Sequence, residues 1–143
     1  MFVGNYTHSV DGKGRFIMPS RFREQLDGRV MVTKGMDGDC LYLYHLSDWE
    51  DFVGRLRALP NSRPEIRSLQ RHFITEAEMV DIDKQGRCLV SNNLRDYAGI
   101  HSEIKLMGLD NKIELWSMES WKQFKETDTV DIAEIAGTID LII

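Results

Sequence analysis

Apolar and polar residues alternate in short runs cut by turn residues, and the whole pattern then recurs. Tyr6 to Val10 reads as a strand entering a turn at Asp11–Gly14, and Arg15 to Met18 reads as the strand leaving it. Pro19 ends that strand, Ser20 is placed to cap a helical turn through about Leu26, and Asp27-Gly28 closes it. Val30–Lys34 and Cys40–Tyr44 are predicted to pair as a hairpin around Gly35–Asp39. Ser47 to Glu50 matches a capping box and predicts a helix to about Leu59, with Trp49, Phe52, Val53, Leu56 and Leu59 on one face. Ser62 to Glu65 is a second capping box, opening a helix to about Phe73. Its Ile66, Leu69 and Phe73 share a face, while Arg63, Arg67 and Arg71 stack elsewhere.

The second half follows the same plan. A strand near Thr75–Ile82 is followed by a turn at Asp83–Gly86, a strand from Arg87 to Val90 and a helical turn at Asn92–Ala98. A hairpin at Ile104–Met107 and Lys112–Trp116 then leads to a helix from about Met118 to Thr127 that carries Trp121 and Phe124 inward. Asp11-x-x-Gly14-Arg15 matches Asp83-x-x-Gly86-Arg87 at an offset of 72 residues, and the offset reads as ungapped. It pairs Val10 with Ile82, Ile17 with Leu89, Val32 with Ile104, Leu41 and Leu43 with Ile113 and Leu115, and Tyr44 with Trp116. It also pairs Trp49 and Phe52 with Trp121 and Phe124. Matches of this kind mean one supersecondary unit used twice with a shared packing scheme.

Neither copy has enough strand to close a sheet alone, so the two are expected to form one small barrel-like core with pseudo-two-fold symmetry. The fold class is thus α+β: a barrel built from two tandem repeats and flanked by helices. The expected organisation is a single domain over residues 1–143. A first repeat spans 1–60, a linking helix 61–73, a second repeat 74–127 and an acidic tail 128–143. The spacing in the tail predicts one helical turn near Asp131–Ala136.

Composition narrows the class. The chain has 143 residues, 42% of them apolar and 29% charged, which is ordinary for a globular domain with its own core. No apolar run approaches the roughly 18 residues that cross a bilayer. The first residues lack the basic and apolar regions of a signal peptide, so a cytoplasmic location without membrane contact is expected. Cys40, Cys88 and the scattered His8, His45, His72 and His101 show no metal-ligand spacing, so two reduced, buried or half-buried thiols, no metal and no cofactor are expected.

The net charge of −5 disfavours DNA binding until it is divided. Residues 1–72 hold eleven Lys/Arg against nine Asp/Glu, a net of +2, whereas residues 73–143 hold seven against fourteen, a net of −7. Lys13, Arg15, Arg21 and Arg23 lie between Asp11 and Glu24 with no acid among them. An anionic partner responds to the local field more than to the total.

The repeated turn has a definite chemistry. Gly14 and Gly86 permit positive φ, and Asp11 and Asp83 can accept hydrogen bonds from the turn amides. Arg15 and Arg87 then begin the outgoing strands, where a planar guanidinium fork suits phosphate or guanine O6/N7. Gly12 and Gly14 keep the first loop slim, with Lys13 at its tip. The second loop has Lys84-Gln85 there, with Glu76, Glu78, Asp81 and Asp83 around it. The first turn is therefore the stronger DNA candidate. At the second, an Asp–Arg pair that pins a hairpin is the stronger reading.

Phe2-x-Gly4-x-Tyr6-x-His8, Val10-Asp11-x-Lys13-Gly14-Arg15 and Pro19-x-x-x-Arg23, with the second Asp83-x-x-Gly86-Arg87 and Glu114-Leu115-Trp116, resemble the MraZ family. These are bacterial transcriptional regulators encoded at the head of the division and cell-wall gene cluster. The resemblance implies an AbrB-like swapped-hairpin DNA-binding fold with both halves in one chain. It also implies a homo-oligomeric ring (an octamer or similar) and binding to short direct repeats in double-stranded promoter DNA of its own operon, acting as a repressor. The family's conserved Asp and Arg fall on Asp11, Arg15, Asp83 and Arg87.

The combined reading places Lys13, Gly14, Arg15, Arg21 and Arg87 at DNA, with Asp11, Arg23, Asp83, Gly86 and Arg95 as motif and structural positions. An oligomeric scaffold or ligand-binding module, with the Asp–Arg turns as subunit contacts, is the alternative. The arginine stripe and the acidic second half would suit complementary subunit surfaces. An enzyme has little support, since no nucleophile–base pair, phosphate loop or metal constellation stands out.

Overall fold

A computed structural model describes all 143 residues. The first copy contributes β1 (Asn5–Ser9), β2 (Arg15–Ile17), α1 (Ser20–Arg23), β3 (Arg29–Lys34), β4 (Leu41–Tyr44) and α2 (Leu46–Arg57). The linking helix α3 (Pro64–Ile74) follows. The second copy contributes β5 (Glu78–Asp81), β6 (Arg87–Leu89), α4 (Asn92–Ala98), β7 (Glu103–Gly108), β8 (Ile113–Ser117) and α5 (Met118–Thr127), and α6 (Ile132–Thr138) lies beyond it. The molecule is α+β, as the pattern predicts.

Six strands form an antiparallel sheet in the order β1-β7-β8-β4-β3-β5, and β2 pairs with β6 in a separate two-stranded ribbon. The copies exchange their edges: β1 of the first pairs with β7 of the second, and β5 of the second pairs with β3 of the first. Two central pairings mark the pseudo-two-fold axis, Phe16 opposite Cys88 in the ribbon and Tyr42 opposite Glu114 in the sheet. Each pair joins residues 72 apart in sequence. Because β1 turns into β2 and β5 turns into β6, the ribbon connects the two edges of the sheet and covers the core between them. β1 and β5 remain the edge strands of the sheet, and both are short, which limits edge-to-edge pairing.

The barrel interior is filled from both copies, with Phe16, Met18, Phe22 and Leu43 meeting Cys88, Val90, Leu94 and Leu115. Cys40 and Cys88 are both buried free thiols, and burial pushes each up to about 12, so both stay neutral and unreactive at ordinary pH. On the outer face of β4 and β8 a second layer forms under α2, α3 and α5. There Tyr44 packs with Trp49 and Phe52, and Trp116 packs with Trp121 and Phe124, with all six ring centroid separations between 5.1 and 5.9 Å. These residues pair off at the repeat offset, so the duplication extends to the outer aromatic layer. No helix is long and apolar enough to cross a membrane.

Several expectations need correction. The repeat is not ungapped: Val32 faces Leu43 in the first hairpin and Leu106 faces Leu115 in the second, so Val32 corresponds to Leu106 rather than Ile104. The second copy gains two residues before β7 and drops two from the β7–β8 loop, so the 72-residue offset returns at β8. A shift of two keeps the same side chains facing inward, which hides it from an apolar pattern.

The capping boxes also fail as read. The ring of His45, not Ser47, caps α2, its Nδ1 accepting from the Ser47 amide at 3.1 Å. The α3 helix starts at Pro64 with no side-chain cap; proline there removes one of the free amides, and the Arg63 carbonyl accepts the Ile66 amide at 3.1 Å. Thr75 ends α3 rather than opening β5. Pro19, not Ser20, holds the cap position of α1. Serine caps do form where α4 and α5 begin, Ser91 accepting from Leu94 and Ser117 from Ser120. Ser117→Ala is expected to cost about 1 kcal/mol of stability in denaturant unfolding.

Candidate nucleic-acid interface

The ribbon presents its functional side chains by simple alternation. Phe16 and Cys88 point into the barrel, so Arg15, Ile17, Arg87 and Leu89 face outward together. Arg15 stands opposite Leu89 and Arg87 opposite Ile17, which places the two arginines diagonally across the axis. Diagonal neighbours on one ribbon face lie about 7–8 Å apart at the backbone.

Each arginine is held by its own turn. The Asp11 carboxylate accepts the backbone N–H groups of Lys13 at 2.9 Å and Arg15 at 2.8 Å, and its other oxygen accepts Arg15 Nε at 2.7 Å. Asp83 does the same with Gln85 at 2.9 Å, the Arg87 amide at 2.8 Å and Arg87 Nε at 2.6 Å. Hydrogen bonds from the backbone and guanidinium of Arg15 lower the Asp11 carboxyl below its usual range, against a smaller opposing effect of burial, and those from Arg87 lower Asp83. Both carboxylates are therefore ionised at neutral pH. The carboxylate takes Nε and leaves the outer guanidinium edge of each arginine without a hydrogen-bond partner. An oriented fork with a free edge is ready for a planar acceptor.

The second turn is less distinct from the first than its sequence suggests. The pinning pair is present in both, so it does not separate a reader from a strut. Two of the acids near Arg87 are occupied elsewhere: Glu76 pairs with Lys34, and Glu78 accepts the Ser91 amide at 2.7 Å. Lys13 and Lys84 both lie exposed in their loops. Arg21 is also exposed, but on α1 and outside the turns, beside a shallow groove lined by Met1, Val3 and Gln25.

Gly14 and Gly86 carry φ of +86° and +84°, and both are buried although their turns are exposed. What covers them is a cross-copy exchange. The Arg95 guanidinium lies against Gly14, and the Arg23 guanidinium lies against Gly86, in each case where a Cβ would stand. Arg95 also donates to Asn92, while its Nε is buried without a partner. The structure thus brings Asp11, Gly14, Arg15 and Arg95 together at one end of the ribbon and Asp83, Gly86, Arg87 and Arg23 at the other. Sequence reasoning named Arg23 and Arg95 but missed their partners. The signal was available, since each follows its own copy's glycine by nine residues, but spacing alone does not reveal a crossing between copies.

The family described as "MraZ protein, putative antitoxin-like" matches the chain twice, over residues 1–72 and 73–139. The chain belongs to the MraZ family. Similar proteins include the transcriptional regulator MraZ of Acetivibrio thermocellus, 40% identical over 142 residues that cover 99% of each chain. The transcriptional regulator MraZ of Clostridium acetobutylicum is 44% identical over 136 residues, covering 95% of this chain and 94% of its own. That of Desulfitobacterium hafniense is 44% identical over 124 residues, covering 87% of this chain and 86% of its own. The boundary between the two matches falls inside α3, near its C-terminal end.

Proposed function

We propose that the chain is a sequence-specific, DNA-binding transcriptional regulator that acts as a repressor. Its site is the short direct repeats in the promoter of the division and cell-wall gene cluster, including its own gene. The observation that carries this reading is the outward face of the β2–β6 ribbon, with Arg15 and Arg87 each oriented by a carboxylate and each keeping a free edge. A two-stranded ribbon fits the major groove, and an Arg fork reads guanine while Lys13, Lys84 and Arg21 take phosphates. Asp11 and Asp83 orient the readers, and Arg23 and Arg95 brace the glycines beneath them. The names of the MraZ relatives support the same role.

The chain works as a single domain of two repeats and assembles into a homo-oligomeric ring in the cytoplasm, associated with the nucleoid. A ring suits direct repeats because one bound subunit raises the effective concentration of the next. Footprinting on DNA upstream of the chain's own gene tests this. Regularly spaced protected blocks with a common short sequence are expected, and uniform or absent protection would refute sequence-specific binding there.

A further inference from the structure

The sixteen residues after α5 are exposed and acidic as well as apolar. They carry Asp128, Asp131, Glu134 and Asp140 with no lysine or arginine. Ile132 is 73% exposed and Ile139 64%. Every hydrogen bond the segment makes is local or to the end of α5, such as the Asp131 carboxylate accepting the Glu134 amide. Its helix α6 has seven residues, well short of the roughly 12–15 at which an isolated helix becomes even marginal in water. Such a helix needs a packing surface, and its own chain supplies none that buries it.

A surface of opposite character lies on α2 and α3. Residues 55–75 hold five arginines and one glutamate. On α3 a groove of about 280 Å³ is lined by Arg67, Gln70, Arg71, Ile74 and Thr75. Arg71 has no side-chain hydrogen bond or ion pair, and Arg67 spends only Nη1, on the Asn61 and Ser62 carbonyls. Ile74 is 41% exposed beside them. Cations flanking an exposed aliphatic residue match the alternation of acids and isoleucines in the tail.

We infer that segment 128–143 of one copy docks on the α3 groove of a neighbouring copy, with Asp131 and Glu134 toward Arg67 and Arg71 and the isoleucines over Ile74. DNA phosphate could use the arginines, but it would gain nothing from Ile74 and would leave α6 uncovered. The inference rests on the self-association proposed above but not on DNA binding. Docking between copies is head-to-tail, the interface type that generates rings.

Sedimentation velocity on the full chain tests it with two charge reversals, Arg67→Glu with Arg71→Glu, and Asp131→Lys with Glu134→Lys. Each double variant alone is expected to associate at least about tenfold more weakly than wild type, because like charges then meet at the interface. Mixing the two variants should restore assembly, since each tail then meets a complementary groove. Circular dichroism should match wild type throughout. Variants that assemble like wild type, or mixtures that stay dissociated, overturn the docking alone. A groove variant that keeps its size but loses promoter DNA assigns the face to DNA instead. A monomeric wild-type chain overturns the docking together with the self-association it rests on.

Discussion

Gly14→Ala is expected to destabilise the folded chain by about 3 kcal/mol, measured by denaturant unfolding. Two effects combine. A backbone φ of +86° costs a non-glycine residue about 1–2 kcal/mol. The new Cβ would also occupy the space of the Arg95 guanidinium, which must shift out of a partly buried position. The second effect depends on Arg95 and the first does not. In an Arg95→Ala background the cost of Gly14→Ala should therefore fall to about 1–2 kcal/mol. The same cycle is expected for Gly86→Ala and Arg23, because the exchange is symmetric. Equal costs in both backgrounds would show that the crossing arginine does not constrain the turn.

Arg15→Ala is expected to weaken operator binding by about ten- to a hundredfold per occupied site, the range for losing one bidentate base contact. In the proposed ring the loss grows when several subunits engage DNA at once. Arg87→Ala should act in the same direction with a smaller effect, because Asp81 remains beside the second turn. Neither change removes buried apolar area, and the amide bonds to Asp11 and Asp83 persist without the guanidinium. Fold and assembly size should then be retained. This separates the DNA reading from its rival: if the Asp–Arg turns were subunit contacts, Arg15→Ala would dissociate the assembly rather than only release DNA.

The fold was largely legible because duplication doubles every signal. Strands, turns and the inward aromatics Trp49, Phe52, Trp121 and Phe124 were readable from apolar spacing, and the positive φ of both motif glycines followed from the turn. Three features were not readable, each for a physical reason. The compensated two-residue shift between Val32 and Leu106 preserves side-chain facing, so periodicity does not register it. The cap of α2 at His45 and the start of α3 at Pro64 were misplaced because a capping-box match says nothing about which preceding group reaches the free amides. The approach of Arg95 to Gly14 depends on which edge strands the copies exchange, and no local pattern encodes that exchange.

The candidate site was legible as residue types and less so as a balance between copies. Charge counting marked the second turn as acidic, yet Glu76 is spent on Lys34 and Glu78 on the Ser91 amide. What remains at the ribbon is nearly symmetric, with two oriented arginines on one exposed face.

The most direct measurement is the affinity for a duplex carrying the upstream repeats, followed across a salt series, for wild type and for Arg15→Ala with Arg87→Ala. Wild type should bind with a steep salt dependence that reports several phosphates, whereas the double variant, folded and of unchanged size, should lose both its preference for the repeats and most of its affinity. A double variant that binds the repeats with wild-type affinity and salt slope would contradict the assignment of the ribbon as the DNA-reading surface.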